Sequence, residues 1–572
     1  MSIPFSAERP LTARSPAFVV RAARLAALGC LLAGTAFAQL EAPPSPPGNP
    51  LTPEKARLGK VLFWDEQIAS TRTVACGTCH FPETGGDDPR SATSPLALHP
   101  GADGTFGTSD DVLGSPGVPR NPGNGSYTLD STFGFAPQVT RRRTSSSINA
   151  GYSDTLFWDG RAGDEFRDPL TDEVVLASGA ALESQAVGPP ADSIEMGHDG
   201  RDWNDVIARI GASRPLAVAS HVPTQLLQWI DGRTYAQLFQ EAFGTPEITA
   251  ARVAMAIASY ERTQFTNQAP LDAFILGDNM ALSPLEQQGR NVFNASSCDR
   301  CHQGPLLTDN DFHFTGLRAQ AEDLGRAEVT GLMEDRGRMR TPSLRNTELQ
   351  APFMSDGSFA TLEEVVDFYD RGGDVDAPNK DPFVRELNLT AQEREALLAF
   401  LRRPLTDPRV AAAQPPFDRP RLYTESGRVP SIEMPAGVEP RIVAHEPPLL
   451  GNPSFTIAVF DAPEATEALL VVDAQDPGPT RPASGSFAFE TVALETDGQG
   501  GRVGSVSLAI PNDANLVGQE FFARWYVTPS GGGADAVSNL ARFRIFEPIE
   551  DAVLFLDDFE TGGLGAWSTS VP

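Results

Sequence analysis

One five-residue pattern occurs twice in this chain. It reads Cys76-Gly77-Thr78-Cys79-His80 and again Cys298-Asp299-Arg300-Cys301-His302. Two thiols at this spacing with a histidine directly after them form the attachment pattern of a c-type haem. In that chemistry Cys76, Cys79, Cys298 and Cys301 bond the porphyrin through its vinyl groups, and His80 and His302 each offer an axial nitrogen to iron. Two irons in one chain suit the movement of single electrons. Paired Cys-X-X-Cys also builds zinc ribbons, and a single pair serves thioredoxin-like redox chemistry. The zinc reading leaves the histidine after both pairs unexplained, and the pairs lie far apart. The redox-pair reading needs a βαβ context that the sequence lacks.

The 572-residue chain has five cysteines, and the one outside the motifs is Cys30. Arg21 and Arg24, an apolar run from Leu25 to Ala33 and then Ala36-Phe37-Ala38 read as an export signal over residues 1–38. Cleavage before Gln39 removes Cys30 and leaves the four haem-type thiols. Lipidation of Cys30 is the rival reading; Ala27 and the apolar run beyond Cys30 speak against it. Haem attachment in bacteria follows export, so the expected location is the periplasm, with secretion or the cell surface as the other exported destinations. A formal net charge of −30 excludes nucleic acid as a partner and suits basic electron-transfer proteins. Beyond the signal, no apolar run reaches the ~20 residues that span a bilayer.

Similar elements precede both motifs. Thr52-Pro53-Glu54 leads to Leu58-Gly59-Lys60 and Leu62-Phe63; Ser283-Pro284-Leu285-Glu286 leads to Gly289-Arg290 and Val292-Phe293. A hydroxyl before proline starts a helix, and Ser283 with Glu286 fits a capping box. The expected architecture is mainly α: two cytochrome c-like haem domains over about 50–265 and 266–410, followed by an all-β domain. A segment from Ile248 to Gln264 reads as a helix joining the two haem units. A Gly/Asp-rich insertion fills about 82–141 of the first unit; its stretch Gly101 to Asp111 reads as a solvated loop, with calcium binding by its carboxylates as the alternative. Pro-rich residues 411–436 read as a linker. Short β-prone runs at Phe455–Phe460, Ala468–Val472, Ser505–Ile510, Phe521–Val527 and Ala541–Ile545 predict a sandwich over 437–547 that serves as an adhesion or spacer module. Residues 548–572 read as a tail without an assigned mechanism.

From about 51 to 405 the chain resembles the bacterial di-haem cytochrome c peroxidases and MauG. The resemblance rests on Leu58 to Phe63, Phe157-Trp158-Asp159-Gly160-Arg161-Ala162, Gln185 to Pro189, Glu195-Met196-Gly197, Arg340 to Asn346 and Asp356 to Glu364. It implies a peroxide-reacting haem on His80 and an electron-transferring haem on His302. It makes Glu195 the acid that moves a proton between the peroxide oxygens, Gln185 its hydrogen-bonding companion and Trp158 the residue between the haems. By position, Tyr369 becomes the second axial ligand of the C-terminal haem, with Met354 as the runner-up. Residue pattern agrees: Thr361 and Glu364 form a capping box, and Leu362, Val365, Val366 and Tyr369 share one helical face. For the N-terminal iron, His99, His198 or no second ligand are the choices. Thr144 stands where relatives carry an asparagine that helps hold calcium, which leaves calcium open.

Three functions follow. The first is a peroxidase that reduces hydrogen peroxide to water with electrons from a small donor protein such as a cytochrome c or a cupredoxin. The second is a MauG-like oxidase acting on a protein or organic substrate, which a tyrosine ligand favours. The third is a non-catalytic electron carrier with the β-domain as docking module; Glu195 and Gln185 argue against it. A homodimer is left open.

Overall fold

The computed structural model describes residues 40–123, 125–432, 439–496 and 501–548. The expected export signal and the tail from 549 onward lie outside these residues.

Two helix pairs repeat one packing. Helix α1 (Pro53–Trp64) crosses α2 (Ala250–Glu261), and α3 (Pro284–Ala295) crosses α5 (Ala391–Leu401), with α4 (Leu362–Asp370) beside the second pair. At each crossing a glycine lets the backbones touch. A Cβ on Gly59 would lie 1.9 Å from the Ala256 carbonyl oxygen, and a Cβ on Gly289 would lie 1.9 Å from that of Ala396. The glycines of the two similar lead-ins are thus the contact points of a duplicated helix crossing. The segment expected to join the units is therefore α2, the packing partner of the first lead-in helix.

The caps form as the residue types dictate. Thr52 Oγ1 accepts from the Lys55 amide at 3.3 Å, and Ser283 and Glu286 exchange side-chain-to-backbone bonds at 2.6 and 3.3 Å. One core surrounds α1 and α2 and includes Trp64, Phe239 and Ile257; a second surrounds α3 and α5 and includes Phe293, Phe353 and Phe400.

The C-terminal region is two antiparallel sheets. One orders Ala488–Ala493, Glu467–Asp473, Glu520–Val527, Ala541–Arg544 and Ser431–Ile432; the other orders Glu495–Thr496, Arg502–Leu508, Phe455–Ala462 and Arg441–Val443. Ile457 and Val459 of one sheet share a core with Leu470, Trp525 and Phe543 of the other. The strand Ala488–Ala493 had no sequence signal, because four of its six side chains are exposed at a sheet edge.

One expectation fails on burial. Within the expected linker, Phe417, Leu422 and Tyr423 are buried, Asp418 pairs with Lys60, and the Arg419 guanidinium stacks 3.9 Å from the Phe81 ring centre. Pro-rich composition could not show that this path is packed, nor that Ser431–Ile432 within it pairs as a strand with Ala541 and Arg542. Within the insertion, the stretch expected to be a solvated loop is mostly exposed, and other parts are packed. Residues 102–109 are exposed, whereas Val112, Val118, Tyr127, Phe135 and Val139 are buried.

Candidate functional site: two histidine-bearing cavities sharing a wall

Each Cys-X-X-Cys-His motif begins a tight helical turn. The His80 amide bonds to the Cys76 carbonyl at 3.1 Å, and that of His302 to the Cys298 carbonyl at 3.0 Å. The turn closes both histidines back over their cysteines. His80 Nδ1 then lies 3.1 Å from the Gly86 carbonyl, and His302 Nδ1 lies 3.0 Å from that of Leu307. A carbonyl accepts only, so each Nδ1 carries the proton and each Nε2 is left as a free lone pair. Burial lowers both histidine pKa values and keeps the rings neutral.

Two cavities meet these motifs. The first, about 1690 Å³ with its mouth, is lined by Cys76, Cys79, His80, Gln185 and Glu195. The second, about 1730 Å³ with its mouth, is lined by Cys298, Cys301, His302, Met354 and Tyr369. Trp158, Arg143 and Arg340 line both and form the shared wall. The Trp158 Nε1–H donates to the Arg143 carbonyl at 2.8 Å.

Glu195 is placed by its own turn. The Asp192 carboxylate accepts from the amides of Ile194 (2.8 Å) and Glu195 (3.0 Å), and Arg201 donates to the carbonyls of Pro190 (2.8 Å) and Met196 (3.2 Å). Burial, with Asp192 adding to it, raises the Glu195 pKa to about 7. Its carboxylate has no hydrogen-bond partner among the described residues and faces the cavity, as does the Gln185 amide. A carboxyl half-protonated near neutral pH can both take and give a proton.

In the second cavity, the α4 face expected from the spacing is present: Leu362, Val365, Val366 and Tyr369 all line it. The Tyr369 pKa is raised by burial first, then by the Cys301 and Cys298 thiols and Asp381. Its hydroxyl bonds to no described residue, unlike an ordinary core tyrosine. Met354 lines the same cavity, so both candidates for the second ligand reach it.

Neither histidine considered for the first iron lines the first cavity. His99 accepts from the Gly101 amide at 3.1 Å, and His198 Nδ1 lies 2.9 Å from Ser70 Oγ. His80 is the one histidine lining the first cavity. In the 101–111 loop Asp110 accepts from the amides of Ala102 and Asp103, and Asp111 Oδ2 from that of Gly107, while Asp111 Oδ1 is buried without a partner. Thr144 bonds Ser115 Oγ at 2.6 Å.

The only three-member group of metal-ligand type among the described residues is Cys301, Asp309 and His313. Both His313 nitrogens are already taken, by Asp381 at 2.6 Å and Asp309 at 3.0 Å. The Cys301 sulfur, then Asp381 and Asp309, raise the His313 pKa to about 10. A protonated imidazole offers no lone pair to a metal.

Two further residues take no role from the sequence, where Arg340 stands only as the first residue of the segment Arg340 to Asn346. Glu261 ends α2, lines the first cavity and is raised to about 8 by burial; its Oε2 is buried without a partner. Arg340 has no carboxylate within 4 Å among the described residues, and burial alone lowers it to about 10. A buried, unpaired cation is costly. The acidic side groups of a haem in either cavity would supply the missing charge. Thiol pair, free imidazole Nε2, apolar walls and unpaired arginine together fit a haem in each cavity.

The chain is similar to several known proteins. The profile of the di-haem cytochrome c peroxidase family matches residues 53–280. The chain is 30% identical over 369 residues to the methylamine utilization protein MauG of Methylorubrum extorquens, covering 64% of this chain and 82% of that protein. It is 28% identical over 331 residues to the cytochrome c551 peroxidase of Nitrosomonas europaea, covering 57% of this chain and 76% of that protein. A crystal structure of a MauG-like protein associated with microbial copper homeostasis matches at 27% identity and TM-score 0.47, covering 66% of this chain and 96% of that one. The chain belongs to the di-haem cytochrome c peroxidase and MauG family, and is an oxidoreductase of that type.

Proposed function

We propose that this chain is an exported, periplasmic di-haem c enzyme that reduces hydrogen peroxide to water with electrons received through its C-terminal haem. Cys76, Cys79 and His80 would hold one haem, and Cys298, Cys301 and His302 the other; these groups supply the electrons and the site of O–O cleavage. The protein supplies geometry and protons. Glu195 takes the proton from the near peroxide oxygen and returns it to the far one, so that oxygen leaves as water. Gln185 offers an amide to fix the bound oxygen. Trp158 bridges the two cavities through a packed indole. Tyr369 reaches the second cavity with an uncommitted hydroxyl and serves as the second ligand there. The donor is a small redox protein such as a cytochrome c or a cupredoxin.

The observation carrying this reading is the first cavity itself. It combines a free His80 Nε2, an unpaired Glu195 at a pKa of about 7 and no competing histidine. A pure electron carrier needs no such acid. The test is Glu195→Gln: both haems should stay attached while peroxide reduction falls by roughly 10²–10⁴-fold, the usual worth of a general acid–base. Wild-type turnover in that variant rules the reading out.

A MauG-like oxidase is the second reading. It is favoured by Tyr369, because a phenolate ligand stabilises oxidised iron where methionine would raise the potential. Electrons would then be drawn from a protein or organic substrate.

A further inference from the structure

We infer that the C-terminal β-domain is part of the peroxide site: through insertion residues 117–138, with Tyr127 as its anchor, it positions the turn carrying Glu195. This rests on the role proposed for Glu195.

The path is continuous. The Val118 amide donates to the Ile194 carbonyl at 3.0 Å, and Gln138 Nε2 donates to the Ser193 carbonyl at 2.8 Å. The Asp199 amide donates to the Asn121 carbonyl at 2.8 Å. At Gly117 the two backbones touch: a Cβ there would lie 1.9 Å from the Ile194 oxygen and 2.8 Å from the Glu195 Cα. The insertion therefore forms one wall of the Glu195 turn.

The same insertion is held by the β-domain. Tyr127 donates its amide to Ser505 Oγ at 2.9 Å and receives the Ser505 hydroxyl on its carbonyl at 2.9 Å. Its phenol donates to buried Glu446 at 3.2 Å. Thr456 Oγ1 donates to the Gly125 carbonyl. Around these bonds Tyr127 and Phe135 share a buried cluster with Ala458 and Val503. Arg72, just before the first motif, donates to Ser454 Oγ at 2.7 Å. A freely tethered spacer or adhesion module would not share a buried cluster with its host's loop, separate from the core between its own sheets. The insertion has few regular elements, so its shape depends on the sheet it lies against.

The test uses the full-length holoprotein. Tyr127→Ala removes the ring from its cluster and the phenol bond to Glu446 without touching either cavity, while the backbone bonds to Ser505 stay; Tyr127→Phe keeps the ring. Amide hydrogen exchange over 193–199 and 503–507 and the rate constant for peroxide reaction are measured in each. Tyr127→Ala should speed exchange roughly tenfold in both segments and slow the peroxide reaction about tenfold at unchanged haem content. Tyr127→Phe should restore both. Loosening at 503–507 with unchanged exchange at 193–199 overturns the positioning. If Tyr127→Ala does not fold, Val503→Ala carries the same readouts. Glu195→Gln runs alongside: coupled exchange with a wild-type peroxide rate in that variant sinks the acid rather than the coupling.

Discussion

Trp158 and Arg143 hold each other across the wall between the two cavities. The indole Nε1–H meets the Arg143 carbonyl at 2.8 Å, and the Arg143 guanidinium lies 5.9 Å from the indole ring centre. Arg143 also pairs with buried Asp87, so the wall is tied into the chain segment just after the first motif. Trp158→Phe keeps most of the packing and removes the bond. Electron exchange between the two sites should slow on the order of tenfold, equivalent to about 1.4 kcal/mol of barrier. Stopped-flow oxidation of the C-terminal haem by peroxide measures it. An unchanged rate excludes Trp158 from the path.

Tyr369 and Met354 compete for one role. Tyr369→Phe should change the low-spin spectrum of the C-terminal haem, while Met354→Leu should not. Tyr369→Met should raise the potential of that haem by roughly 100 mV or more, within the ~0.8 V range that axial ligands command. Spectroelectrochemical titration reads both. If Met354→Leu alone abolishes the signal, the ligand is Met354.

Arg340 carries its charge between both cavities without a carboxylate partner. Arg340→Gln removes a cation that favours the electron-rich state of each iron. Both potentials should fall by roughly 60 mV, the one-electron equivalent of about 1.4 kcal/mol. A shift confined to one haem would place Arg340 in one site only.

The parts of this site that were legible in the sequence are local. The two motifs, the caps at Ser283 and Thr361 and the α4 face ending at Tyr369 depend on residues a few positions apart. Glu195, Gln185 and Trp158 became visible only through family resemblance, since an isolated carboxylate carries no pattern. Arg340, Glu261 and Arg201 were missed because their meaning lies in what surrounds them. Arg340 matters because no carboxylate among the described residues comes near, and Arg201 because it bonds backbone carbonyls, which no side-chain pattern marks. The docking of Tyr127 on Ser505 joins positions 378 residues apart. Gly- and Pro-rich composition marks such a segment as irregular, and irregular chain can be solvated or buried with equal ease.

Glu261 gives a stability prediction with a definite sign. Its folded pKa is raised from 4.5 to about 8, so the folded state holds this proton more tightly than the unfolded chain. Between those two values the folded state binds more protons, and stability falls as pH rises. The neutral isostere Glu261→Gln has no proton to lose. It should therefore gain melting temperature relative to wild type at pH 9 and show little gain at pH 4. The neighbouring Arg262 is already paired with Glu183 at 2.8 Å and does not depend on Glu261 for its partner. Calorimetry of both proteins across this range decides it. A wild-type advantage that grows toward pH 9 would mean that Glu261 is ionised and held by a favourable partner in the folded protein.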